Sequence, residues 1–227
     1  MPDCNKQKLL DVGSVSVWSL PQSTAFFYTS GMTIDADGAP KAYHPNGRSG
    51  LDALANAGRP GNWWALVTDN GKPDGNPVIQ ELSDPAPGFY VSATSLQDKT
   101  KKARDPRRYV DSTTIPYIVL PSAVTRKTGA KLGDFAVVMN RKTDKTSFAI
   151  FADGGPAGKL GEGSIALADA LGIPSNPRRG GTDKDVIYLV FPKSGDGKPR
   201  TIEEINGETE KLFRNWGGSA QLKVCFS

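Results

Sequence analysis

GDFAVVMNRKTDKTSFAIFADGGPAGKLGEGSIALADALGI, residues 133–173, is the stretch that decides the fold. It predicts two β-strands, at residues 135–139 and 148–151, joined by a polar turn. An acidic, glycine-rich loop follows, and Ser164 then stands where a helix over residues 165–171 needs its N-terminal cap. Because glycine tolerates backbone conformations that other residues avoid, such a loop can lie close to a ligand.

The loop carries two carboxylates, Asp153 and Glu162, nine residues apart. Hydrolysis of a glycosidic bond uses two such groups, one to protonate the leaving oxygen and one to activate water. A DGGP sequence is also common in simple tight turns, so the pattern alone leaves both interpretations open. An aspartic protease is disfavoured, because aspartic proteases need two copies of a D-[ST]-G triplet. This chain has a single DGG and no second copy.

The remaining sequence favours a mainly β protein of one domain. The chain has 227 residues with 25 glycines and 17 prolines, and helical periodicity is scarce. Short strand-like runs recur between residues 26 and 151, among them 63–68, 78–82 and 89–96, which predicts a barrel or sandwich. The run at 25–34 predicts one strand, or two strands separated at Gly31.

Towards the C-terminus, residues 185–191 form the most hydrophobic predicted strand. Residues 201–216 predict an amphipathic helix, which Thr201 and Glu204 begin with a capping box. Residues 222–226 are predicted to be a last strand, which contains Cys225.

Charge and hydropathy exclude several classes of protein. The net charge is +4, and the basic segment 99–108 has no interleaved aromatic residues, so we expect no nucleic-acid partner. No run of about 18 apolar residues occurs, so no membrane association is expected. We expect a monomer without metal or cofactor.

The two cysteines, Cys4 and Cys225, stand at opposite ends of the chain. Domain termini often lie close together, which favours a disulfide and an oxidising compartment; the alternative is two unrelated thiols. The first residues, MPDCNKQ, lack the apolar region of a secretory leader. We therefore expect an extracellular protein whose leader is not part of this sequence.

Polar residues cluster in the segment IDADGAPKAYHPNG, which begins at residue 34. Its acids resemble the start of a calcium loop, but the twelfth position is Asn46 and not the bidentate glutamate, so calcium is rejected. The residues that remain as candidates for binding are Asp35, Asp37, Tyr43 and His44, the single histidine.

Several segments in the same order resemble fungal-type chitosanases of glycoside hydrolase family 75. These are FFYTSGMTIDADGAPKAYHP, WWALVTDNG with PVIQ, DPAPGFYVSATSL, RYVDSTTIPYIVLP, GDFAVV and AIFADGGPAGKLGEGSIALADALGI, which together span residues 26–173. The resemblance implies endo-acting, inverting hydrolysis of β-1,4 links in chitosan. The catalytic acids of its A-D-x-G-P and G-E-G-S motifs fall on Asp153 and Glu162.

The same stretch is similar to the core of double-psi β-barrels such as those of expansin-like proteins and lytic transglycosylases. We therefore expect a six-stranded double-psi β-barrel-like core with additional strands, a few short helices and a C-terminal helix, and both acids at one mouth of the barrel. Residues 1–227 would form a single catalytic domain with residues 133–173 as its core motif.

By analogy with these barrels, Glu162 is assigned as general acid and Asp153 as general base. Substrate binding is assigned to Asp35, Asp37, Tyr43, His44 and Asp111. Tyr43 and the Trp63–Trp64 pair are candidates for stacking on sugar faces, and packing in the core is the alternative for most of them. Two alternatives stay open: a non-catalytic expansin-like barrel, which does not need both acids, and a peptidoglycan lytic transglycosylase, which uses one acid and no water.

Overall fold

A computed structural model of the protein describes residues 4–226. Within this range the chain forms ten strands: β1 (Gln7–Val12), β2 (Val15–Ser19), β3 (Phe26–Asp35), β4 (Gly58–Arg59), β5 (Asn62–Trp63), β6 (Tyr117–Pro121), β7 (Phe135–Asn140), β8 (Lys145–Gly155), β9 (Glu162–Ser164) and β10 (Thr182–Phe191). The α-helices are α1 (Ser122–Thr128), α2 (Ile165–Leu171), α3 (Ile202–Trp216) and α4 (Gly218–Phe226). Short 3-10 turns occur at Leu54–Ala57 and Pro106–Arg108.

Six strands close into a barrel. They follow one another in the order β3, β10, β7, β8, β6 and β9, and β9 pairs back onto β3. The β3–β9 and β6–β8 pairs are parallel, and the other pairs are antiparallel. Strands β1 and β2 extend the sheet beyond β3. This confirms the predicted mainly β fold, with a six-stranded barrel-like core, additional strands and a C-terminal helix.

The barrel interior is filled by alternate side chains of its strands. Phe26, Tyr28, Met32 and Ile34 on β3 contribute to it, as do residues of β6, β7, β8 and β10. Intervening residues such as Phe27 face outwards and pack against the C-terminal helices. The period-two alternation of strand side chains therefore gives the barrel wall an outer face on which other groups can be mounted.

The central stretch folds as its sequence predicts. Strands β7 and β8 form the hairpin, and α2 begins at Ile165 because the Ser164 hydroxyl accepts a hydrogen bond from the Leu167 amide at 3.1 Å. The helix ends at Gly172, whose φ of 67° is left-handed. The Ser164 hydroxyl also donates to the Ile115 carbonyl at 2.9 Å, which ties α2 to the segment before β6.

Strand β3 is continuous through Gly31, so the prediction of two strands separated there does not apply. A Cβ at Gly31 would lie 2.3 Å from the Thr182 carbonyl oxygen. Glycine thus lets the neighbouring strand approach, and the β3–β10 register is irregular between Thr182 and Val186.

Residues 36–116, which we call the outer loop, are less regular than predicted. Only β4 and β5 are strands here, and the other apolar runs form isolated bridges such as Leu66–Ser92 and Ile79–Tyr90. The outer loop is held to the barrel by single contacts, among them the hydrogen bond from the Leu96 amide to the Ala152 carbonyl at 2.8 Å. Buried apolar residues such as Leu66 and Leu96 are therefore covered without extended strand ladders.

The C-terminal prediction is half right. The capping box of α3 is present, because Thr201 and Glu204 each bind the other's backbone amide. Residues 222–226, however, belong to the helix α4 and not to a strand. Helical spacing places Leu222 and Cys225, three residues apart, together in the cluster that contains Phe27 and Leu189, and this packing decides the conformation.

Cys4 and Cys225 form a disulfide, with their Cα atoms 5.0 Å apart. This confirms the predicted bridge and ties the N-terminal segment to α4. As for membrane association, none of the helices within residues 4–226 has both the length and the apolar character needed to cross a bilayer.

Candidate active site

A groove of about 650 Å³ lies between the barrel wall and the outer loop. From the barrel it is lined by the end of β3, by β6, by the end of β8 and by the start of β9. The polar and aromatic side chains that line it are Thr33, Asp35, Asp37, Tyr43, Asp52, Asn56, Trp64, Asp153, Lys159 and Glu162. The groove therefore collects five carboxylates and a single lysine among the described residues.

The register of three strands places Asp153 and Glu162 on the outer face of the barrel. Asp153 on β8 is paired with Val119 on β6. On the other side of β6, Gly163 of β9 pairs with Ile118, which places Glu162 beside Val119. Ile118 and Leu120 fill the barrel interior, whereas Val119 packs outside it. The acids thus flank Val119 on the barrel wall instead of lying at its mouth.

Asp153 is buried, with 8% of its surface exposed. Its Oδ1 atom accepts hydrogen bonds from the Ser95 hydroxyl at 2.5 Å, the Gly154 amide at 2.7 Å and the Ser95 amide at 3.1 Å. Burial raises the pKa of Asp153 to about 6, and these three donors oppose the rise because they favour the anion. Asp153 therefore changes charge in the weakly acidic range.

Glu162 is half-buried at the start of β9. Burial raises its pKa, the charge of Lys159 lowers it, and the charges of Asp153 and Asp52 raise it further. Neither Glu162 nor Asp153 forms an ion pair within 4.0 Å in the described part of the chain, so no basic side chain competes with a ligand for either carboxylate. A Cβ at Gly155 would lie 3.7 Å from Glu162 Oε2, so glycine keeps the space beside this carboxylate open.

Asp35 and Asp37 stand at the end of β3, beside Asp153. One carboxylate oxygen from each of these three aspartates lies within 4.8 Å of the other two. The Asp37 amide donates to Asp35 Oδ1 at 2.8 Å, and the Tyr43 hydroxyl donates to Asp37 Oδ1 at 2.7 Å. The turn after β3 is thus fixed by its own polar groups.

Burial raises the pKa of Asp35 well above its ordinary value, and the charges of Asp153 and Glu162 raise it further. The pKa of Asp37 is also raised, by burial first and then by the charges of Asp35 and Asp153. Like charges this close each raise the pKa of the others, so full ionisation of the cluster is disfavoured. Three carboxylates at this spacing are also a geometry that accommodates a divalent cation.

Trp64 and Asp52 complete the groove from the outer loop. The Trp64 side chain is 62% exposed, and its indole N–H donates to the Asn56 carbonyl at 2.8 Å. Asp52 is buried and accepts hydrogen bonds from the Asn56 side-chain amide at 2.9 and 3.0 Å. Trp63, in contrast, packs in an apolar cluster, so only one residue of the pair presents its ring to the groove.

The structure brings together Asp35, Asp37, Tyr43, Asp153 and Glu162 of the predicted site residues. His44 lies outside the groove lining, where its Nδ1 accepts a hydrogen bond from the Asn46 amide and its ring packs edge-on against Phe89. Asp111 lines a different cavity and accepts hydrogen bonds from Thr113.

Ser95 and Asp52 are the polar residues that sequence reasoning missed. Ser95 is 58 residues from the carboxylate that it binds, and it lies within the ordinary strand-like run at residues 89–96. Asp52 stands in the largely apolar segment GLDALANAG, residues 50–58, which has no recognisable catalytic motif. No local pattern marks either residue, because the outer loop brings Asp52 to the groove and Ser95 to Asp153 only in the folded chain.

An open groove with two unpaired carboxylates on a rigid barrel wall is the arrangement typical of glycoside hydrolases. The family model described as fungal chitosanase of glycosyl hydrolase group 75 matches residues 32–215, most of the chain. The protein therefore belongs to this family, and membership implies glycoside hydrolase activity on a polysaccharide. No curated protein sequence matches the chain.

Proposed function

We propose that the protein is an endo-acting chitosanase that hydrolyses β-1,4 links between glucosamine units with inversion. The central observation is that Asp153 and Glu162 face one groove from the two strands that flank Val119. The family match supports the substrate class. Residues 1–227 act as a single catalytic domain whose core motif is residues 133–173.

The placement of the two acids supports inversion. Adjacent strands lie about 4.8 Å apart, so the backbones of β8 and β9, on either side of β6, are roughly 9–10 Å apart. Inverting glycosidases hold their carboxyl groups about 6.5–9.5 Å apart, and retaining ones about 5–5.5 Å. Two side chains that rise from flanking strands over Val119 are compatible with the longer range, which leaves room for a water molecule.

The environments of the acids support different roles for them. Glu162, whose pKa is raised by burial and which accepts no hydrogen bond that favours its anion among the described residues, is assigned as the general acid that gives a proton to the leaving glycosidic oxygen. Asp153, whose anion is stabilised by three hydrogen bonds, takes a proton from the water that attacks the anomeric carbon from the opposite face. No cofactor takes part in this mechanism.

The acidic groove suits a cationic polysaccharide although the protein has a net charge of +4. The local field in a cleft matters more for a ligand than the overall charge. We assign the contacts with glucosamine ammonium and hydroxyl groups to Asp35, Asp37 and Tyr43, and stacking on a sugar face to Trp64.

The decisive experiment combines a reducing-sugar assay on chitosan, chitin and peptidoglycan with NMR of the first products from chitosan. We expect new reducing ends from chitosan, with α-anomers formed first from the β-link. Retention of the β-anomer would contradict the inverting mechanism. Absence of hydrolysis with binding would favour the expansin-like alternative, and anhydro products from peptidoglycan would favour a lytic transglycosylase.

Asp37→Asn is expected to weaken productive binding of chitosan more than the chemical step. The change replaces an ionisable carboxyl group that would contact the substrate's ammonium groups by a neutral amide, but it leaves Oδ1 able to accept the hydrogen bond from Tyr43. A hydrogen bond to a charged group contributes about 1.5–3 kcal/mol, so we expect kcat/KM to fall roughly 10- to 100-fold, mainly through KM.

Asp111→Asn is the matched control, because its carboxylate lies outside the groove lining. Steady-state kinetics on chitosan should leave it close to the wild type. If Asp37→Asn instead abolished turnover at saturating chitosan as fully as a change of Glu162, the division between binding and catalytic acids would be wrong. An equal loss in Asp111→Asn would bring that residue into substrate binding.

We also infer that the protein is extracellular and acts as a monomer. A disulfide between Cys4 and Cys225 is stable in oxidising compartments, which is consistent with secretion. Chitosan is too large to enter a cell intact, so an endo-acting enzyme meets it outside.

A further inference from the structure

The hydrogen bonds to Asp153 are concentrated on one of its two oxygens. Oδ1 accepts from the Ser95 hydroxyl at 2.5 Å, the Gly154 amide at 2.7 Å and the Ser95 amide at 3.1 Å. Among residues 4–226, no side chain or amide donates to Oδ2. One oxygen is therefore fixed by the protein, and the other is left for a ligand or water.

Ser95 is positioned by the barrel although it belongs to the outer loop. The neighbouring Leu96 is buried in the cluster that contains Val119 and Ala152, and its amide donates to the Ala152 carbonyl at 2.8 Å. This contact places the Ser95 amide and hydroxyl against the carboxylate that follows Ala152. Ser95 itself is exposed and is not among the residues that line the groove, so it acts on substrate only through Asp153.

We propose that Ser95 is a positioning residue, which holds Asp153 as an anion through Oδ1 and leaves Oδ2 as the oxygen that deprotonates the attacking water. This rests on the proposed function. In the step, an O–H bond of water breaks as its oxygen bonds to the anomeric carbon, and the proton passes to Oδ2. The bond from that carbon to the glycosidic oxygen breaks, and the leaving oxygen takes the proton of Glu162.

The groups around Asp153 make the hydrogen bond from the Ser95 hydroxyl important. The charged and titratable groups that face Asp153 come from β3 and the turn after it, from β6, from β9 and from the loop before β9: Asp35, Asp37, Tyr117, Glu162 and Lys159. Most are acidic, and burial also favours the neutral carboxyl group, which cannot accept a proton from water. The Ser95 hydroxyl lowers the pKa of Asp153 against these effects.

Ser95→Ala should therefore move the acidic limb of the kcat/KM profile to higher pH by about one to two units, the size expected for a hydrogen bond to an anion. At pH values below the limb, the activity of Ser95→Ala on chitosan should be roughly 10- to 100-fold lower than that of the wild type. On the plateau of the pH profile, KM should change little. Ser95→Thr keeps the hydroxyl and should restore the wild-type limb. The exposed position allows both variants to fold.

Thr94→Val is the matched control, because the hydroxyl of Thr94 bonds only backbone groups, the Leu96 carbonyl and the Val110 amide. Thr94→Val should lower the stability of the fold without moving the acidic limb of the kcat/KM profile. Carboxyl ¹³C NMR, with the Asp153 signal assigned by Asp153→Asn, measures the titration without turnover.

A shift of both the titration and the limb in Ser95→Ala, reversed in Ser95→Thr, is the result we expect. An unchanged titration, or a shift as large in Thr94→Val, would overturn the role of Ser95. If the wild-type protein does not hydrolyse chitosan but the titration of Asp153 still shifts in Ser95→Ala, the positioning of the carboxylate by Ser95 would be supported and the proposed function would be overturned instead.

Discussion

Replacing Glu162 by glutamine is expected to lower turnover of chitosan about 100- to 10,000-fold. The amide keeps the shape of the side chain but has no proton to give to the leaving oxygen. The fold should survive, because Glu162 is half-buried at the groove and makes no ion pair within 4.0 Å in the part of the chain described. Single-turnover kinetics and circular dichroism measure the two effects separately.

The leaving group provides a sharper test of the assigned roles. A glucosamine oligosaccharide with a dinitrophenyl aglycone departs without protonation, so Glu162→Gln should regain much of its rate on this substrate. Asp153→Asn should not, because its defect lies in water activation. Glu208→Gln, on the exposed face of α3, is the matched control and should retain full activity. Recovery by Asp153→Asn in place of Glu162→Gln would reverse the assignment of acid and base.

Removing the disulfide is expected to have the largest effect on stability. The bridge joins residues separated by 221 positions, and closing so long a loop restricts the unfolded chain strongly. Loop-entropy arguments give about 4–5 kcal/mol, which corresponds to a fall of the melting temperature by roughly 8–20 °C when both cysteines are replaced by serine. Thermal denaturation of the double variant, beside oxidised and reduced wild type, measures this.

Activity below the transition should be preserved in the double variant, because the apolar cluster around Cys225 contains no residue of the groove. Titration of the denatured, unreduced wild type should find no free thiol. Two free thiols in that titration would show that the bridge does not form. A double variant as stable as the oxidised protein would show that the bridge does not stabilise the chain.

The side of the groove that the barrel forms could be predicted from the sequence, because its sequence signals are local. Continuous apolar, β-prone runs mark β7 and β8, Ser164 caps α2, and Asp153 and Glu162 stand where strands end or begin. The prediction of a strand at residues 222–226 is wrong because this end of α4 contains β-prone residues such as Val224 and Phe226. Its conformation is decided by packing against β3 and β10, which a short window of sequence does not contain.

The outer loop is the part that sequence reasoning could not build. Runs such as residues 63–68 are apolar enough for strands, yet they are stabilised by scattered bridges and by close backbone contacts. One such contact is at Gly38, whose φ is 78° and where a Cβ would lie 2.0 Å from the Val110 carbonyl oxygen. The partnership of Ser95 with Asp153 depends on this folding and has no local signal.

The contrast between the two sides of the groove has an evolutionary consequence. The two proposed catalytic acids are carried by the barrel wall, whereas Trp64, Asn56 and Asp52 are carried by the outer loop, whose residues 47–52 are held from outside that wall by hydrogen bonds from Arg178. Insertions or exchanges in residues 39–64 can therefore reshape the sugar-binding positions and leave the reaction centre intact. We expect relatives of this protein to diverge in preferred chain length and acetylation pattern through this segment, and chimaeras exchanged there to inherit the donor's product distribution.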